Sequence, residues 1–72
     1  MRAREMIQIL EADGWSLKSV RGSHYKYKHP LKPGRVVVPF HGSKDLAIGT
    51  LKSILKAAQI ILSDARFEKG EE

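Results

Sequence analysis

The chain has 72 residues and no cysteine, so it has no room for a deep two-domain cleft, and disulfides, thiolate zinc sites and cysteine nucleophiles are excluded. Thirteen Lys and Arg against eight Asp and Glu give a net charge of +5. No apolar run approaches the ~20 residues of a membrane span. Residues 3–12 set Ala3, Met6, Ile7 and Leu10 at helical spacing, with Arg4, Glu5, Gln8 and Glu11 on the other face. This reads as an amphipathic helix rather than a secretion leader, so the cytoplasm is the expected location. Gly14 after Asp13 is its expected left-handed stop.

Trp15 to Val20 predicts a short strand with Trp15 and Leu17 on a covered face. Gly22-Ser23 breaks it with a turn. His24 to His29 predicts a second strand, with Tyr25, Tyr27 and His29 on one face and His24, Lys26 and Lys28 on the other. Lys32-Pro33-Gly34-Arg35 suits a type II turn. Arg35 to Phe40 is a β-branched third strand ended by Pro39, pairing with 24–29 as a hairpin. A polar loop follows over 41–49, and Thr50 is the expected N-cap of a second helix with the apolar stripe Leu51, Ile54, Leu55, Ala58 and Leu62. Ile60 and Ile61 prolong the apolar run and predict a longer helix. The tail at 63–72 is expected to add a turn around Phe67 and then fray or contact a partner. The order is α-β-β-β-α in a single domain over 1–72. Short connections favour an antiparallel meander with both helices on one side, an α+β two-layer sandwich.

Charge is unevenly placed. Residues 14–59 hold nine bases and one acid, Asp45, whereas both ends are mildly acidic. A basic middle of this kind is the footprint of a polyanion-binding surface, although small basic domains are also simply soluble. His24 follows the Gly-Ser turn on the expected wet face, among Arg21, Lys26 and Lys28. A neutral imidazole there can take a proton from a ribose 2′-hydroxyl, and cations and the Gly22 and Ser23 backbone can stabilise phosphorane charge. The bland alternative is an idle surface histidine. A metal site from His24, His29 and His41 is disfavoured, because His24 and His29 fall on opposite strand faces and no carboxylate set accompanies them. Tyr25 and Tyr27 suit packing better than base stacking. Lys52 and Lys56 either touch phosphate or form a solvated helix face.

The stretches "EADGW", "RGSHYKYKHP" and "KPGRVVVPFHGSKDLAIGTLKSILKAA" resemble the HicA toxin family over about residues 1–58. The resemblance implies a fold like the double-stranded RNA-binding domain and an mRNA interferase, a toxin of a type II toxin–antitoxin system. It implies that His24, in the GSH motif, is the catalytic residue and that Gly22 matches the motif's glycine. The implied partners are mRNA and a HicB-type antitoxin, with DNA engaged only through that antitoxin; no cofactor, metal or membrane is implied. Tyr25 replaces a second histidine found in many members. Arg21, Gly22, Ser23, Lys26, Lys28, Lys52 and Lys56 are the expected RNA-binding residues. The competing readings are a non-catalytic double-stranded RNA-binding module and an adaptor for an acidic protein.

Overall fold

The computed structural model describes residues 1–42 and 44–61. Helix α1 spans Ala3–Asp13. It starts where the Glu5 carboxylate accepts the Arg2 backbone N–H at 2.8 Å. It stops at Gly14, whose φ of +109° lets its own N–H and that of Trp15 bond back to Glu11 and Leu10. Ala3, Met6 and Leu10 are buried, three of the four positions that the spacing singled out, and Ile7 packs at the core's margin.

Strands β1 (Ser16–Arg21), β2 (His24–Lys28) and β3 (Val36–Pro39) form an antiparallel sheet in chain order. Tyr27 and Tyr25 of β2 pair with Val36 and Val38 of β3, and His24 and Lys26 with Pro39 and Val37. Since paired residues share a face, Tyr25, Tyr27, Val36 and Val38 make the inner side. Trp15, Tyr27, Val36 and Val38 there join Met6 and Leu10 of α1 and Leu51, Ile54, Leu55 and Ala58 in one core. Both helices therefore cover the same side of the sheet, which completes the expected α+β sandwich.

Three expectations need correction. Trp15 is buried, but it precedes β1, and every residue of β1 is exposed, Leu17 at 45%. The reason is position: β1 is an edge strand, both helices pack over β3, and a bulge at Lys18 shifts the register between Leu17 and Ser19. Leu17 and Val20 still face inward, opposite Tyr27 and Tyr25, yet the helix layer does not reach them. Helix α2 spans Ile48–Ala58 and begins after Ala47, so Thr50 is not its cap but lies in its first turn. It also ends before Ile60 and Ile61. Gln59 turns left-handed at φ 56°, and the Ile60 N–H bonds back to Leu55 at 3.0 Å, which closes the helix whatever the apolarity beyond. The expected contribution of Leu62, the turn around Phe67 and the tail lie outside the described residues.

Candidate functional site

The β1–β2 connection is a two-residue hairpin. Arg21 pairs with His24, leaving Gly22 and Ser23 as its corner. Gly22 has φ +59°, and Ser23 has no positive φ, the signature of a type II′ turn with glycine first. A Cβ on Gly22 would meet nothing within 4 Å. Turn geometry, rather than crowding, thus accounts for this glycine.

The turn fixes what stands beside His24. Arg21 is its direct neighbour on β1 and Pro39 its neighbour on β3. Two residues on, Lys26 lies between Ser19 and Val37, and Lys28 pairs with Ser16. These residues line the outer side of the sheet, away from both helices. His24, Arg21 and Lys28 are exposed and Lys26 half-buried. The face carries four basic or imidazole side chains and, among its paired positions, no acid. The sequence-predicted site residues Arg21, Gly22, Ser23, His24, Lys26 and Lys28 are thus brought together along one hairpin. Lys52 and Lys56 are exposed on α2, in the layer behind the sheet, and do not join that face.

His29 belongs to another place altogether. Its Nε2 lies 2.7 Å from the Asp13 carbonyl oxygen, and its Nδ1 accepts N–H bonds from Leu31 and Lys32 at 3.0 and 3.2 Å. An Nδ1 that accepts two donors carries no proton, so Nε2–H is the donor to Asp13. The ring meets Trp15 edge-on at 5.2 Å between centroids. Next to it, Lys32 donates to Asp13 Oδ2 at 2.6 Å and to the carbonyls of Ala58 and Gln59 at 3.1 and 2.9 Å. The Lys32 ammonium, hydrogen-bonded to it, holds the Asp13 carboxyl below its ordinary range. This clamp ties the ends of α1 and α2 to the β2–β3 loop. Its nearest sequence signal was the placement of His29 on the tyrosine face.

In the sequence His41 enters only as a disfavoured metal ligand, and the structure gives it a different neighbourhood. The Phe40 N–H donates to the Ser23 carbonyl at 2.7 Å, so the β2–β3 ladder runs one step beyond the assigned strands. Phe40 faces inward and stacks on Tyr25, with centroids 5.1 Å apart. Beyond Phe40, His41 is exposed and lines a 240 Å³ hollow with Pro39, Lys44, Asp45, Leu46, Ala47 and Thr50.

A family model described as the HicA toxin of bacterial toxin–antitoxin systems matches residues 3–60, a span that includes both helices and all three strands. No curated protein matches the chain.

Proposed function

This chain belongs to the HicA toxin family of bacterial toxin–antitoxin systems, and on that premise we propose that it is an endoribonuclease that cleaves mRNA with His24 as general base. The observation that carries the reading is an exposed imidazole on a sheet face with Arg21, Lys26 and Lys28 and no acid among the paired positions. His24 takes the proton of a ribose 2′-hydroxyl, whose oxygen attacks the adjacent phosphate. Because the nucleophile belongs to the substrate, the scheme calls for no metal ion. Arg21, directly across the hairpin, meets the negative charge that grows on the phosphorane, and Lys26 and Lys28 hold flanking phosphates. Gly22 and Ser23 present their backbone at the same corner, and Lys52 and Lys56 reach an RNA that wraps to the helix layer.

A basic catalytic face must be covered while the toxin is held silent. A HicB-type antitoxin with an acidic surface over residues 21–28 supplies both the cover and the charge match. The test is cleavage of a defined RNA by purified protein in EDTA. Wild type cuts, and His24→Ala loses on the order of 10²–10⁴ in rate while keeping its circular dichroism spectrum. Wild type cutting no faster than buffer would leave a non-catalytic RNA-binding module as the better reading, and equal cutting by the two proteins would take the base role from His24.

A further inference from the structure

We propose that His41 is the second catalytic residue of this site, the general acid that protonates the leaving 5′-oxygen; the proposal rests on the nuclease reading above. Three observations support it. The register pairs His24 with Pro39, the last residue of β3, and with Phe40 turned inward onto Tyr25, continuing the alternation one residue past Phe40 puts His41 on the outer side. His24 and His41 are then diagonal neighbours on adjacent segments. Such positions stand roughly 7–8 Å apart, a spacing that admits one phosphodiester between two imidazoles. The hydrogen bond from the Phe40 N–H to the Ser23 carbonyl fixes the two segments against each other at this point.

The hollow beside His41 supplies the third observation. It opens at Pro39, next to His24, and holds the charged groups Lys44 and Asp45. Arg2 Nε lies 3.8 Å from Asp45 Oδ1 and offsets that carboxylate. Pro39, the β3 partner of His24, lines it on the sheet side, and Thr50 lines it from α2. The nucleotide on the 5′-oxygen side of the cleaved bond would lie there.

The step balances without any further reactant. The 2′-oxygen bonds to phosphorus and gives its proton to neutral His24. The bond from phosphorus to the 5′-oxygen breaks, and that oxygen takes a proton from the His41 imidazolium. The products are a 2′,3′-cyclic phosphate and a free 5′-hydroxyl, and solvent returns both imidazoles to their starting states.

A leaving group that needs no proton isolates the role. The experiment compares an oligoribonucleotide with one ordinary scissile linkage against the same oligonucleotide carrying a 5′-bridging sulfur there. His41→Ala is expected to cut the ordinary linkage about 10²-fold or more slowly and the sulfur linkage within about threefold of wild type. His24→Ala is expected to lose both. His41→Asn, which keeps a hydrogen-bonding group but transfers no proton, should follow His41→Ala. If His41→Ala cuts the ordinary linkage as wild type does, or loses both linkages equally, the acid role is overturned and the nuclease reading stands. If wild type cuts neither linkage, the nuclease reading fails first.

Discussion

Gly14 carries two constraints at once. Its φ is +109°, and a Cβ there would lie 2.7 Å from His29 Nε2, the atom that donates to Asp13. Gly14→Ala therefore both strains the backbone and pushes the ring off its acceptor. It should cost about 2–4 kcal/mol in chemical denaturation. Gln59 is the opposite case, a left-handed position at φ 56° filled by a residue with a Cβ. Gln59→Gly should raise stability by roughly 0.5–1 kcal/mol, read as a shift in denaturation midpoint without a change in slope. The helix stop at Gly14 was legible because glycine advertises the conformation. The stop at Gln59 was hidden, because glutamine is a good helix former and isoleucines follow. The outer-face position of His24 was legible from strand parity, and its catalytic role only through the family resemblance, whereas the position of His41 needed the observed ladder past Pro39.

At the scale of elements, the decisive contact is the ammonium of Lys32. It joins three acceptors from the ends of two helices while lying in the β2–β3 loop. Lys32→Met should cost about 1–3 kcal/mol, since it strips the Asp13 carboxylate and two terminal carbonyls of one shared donor. The same contact makes the fold sensitive to acid. Lys32, by hydrogen bond first and charge second, holds the Asp13 pKa below its unfolded value. The unfolded chain then binds the proton more readily than the folded one. The stabilisation is fully present above about pH 4, near the ordinary aspartate value, and is lost as pH falls through the lowered folded value. Asp13→Asn should flatten this acid limb, measured as denaturation midpoint against pH between about 5 and 2. The sequence pattern located the helices and strands of the described residues, the helices by their apolar stripes, β2 by alternation, β3 by its β-branched run and β1 by a loose alternation between turns. It missed the clamp, since a lysine between Leu31 and Pro33 carries no periodic signal. It also missed the exposure of β1, which depends on how far the helices extend across the sheet.

For the whole molecule, five of the nine basic residues in 14–59 fall into two layers. Arg21, Lys26 and Lys28 lie on the sheet's outer face, and Lys52 and Lys56 lie on α2 behind it. Single-stranded RNA binding should weaken steeply with salt, each phosphate contact adding about 0.7 to the logarithmic slope. Lys26→Gln with Lys28→Gln should flatten that slope by about 1.4, and the pair Lys52→Gln and Lys56→Gln should flatten it less. Net charge alone showed that a polyanion surface was plausible, but it could not show that the sheet would sort these cations by layer.

Strand β2 spans His24–Lys28, and His29 follows it, at about 3.3 Å per residue. The imidazole that would do chemistry and the one that braces the helix ends thus occupy opposite tips of a single ribbon. Disarming the first tip leaves the second untouched. An inactive variant made at His24 should still present the surface an antitoxin grips, and would compete with the active protein for it. A lesion at the Lys32 clamp would instead lower the stability of the whole chain, so that toxicity and the capacity to compete decline together.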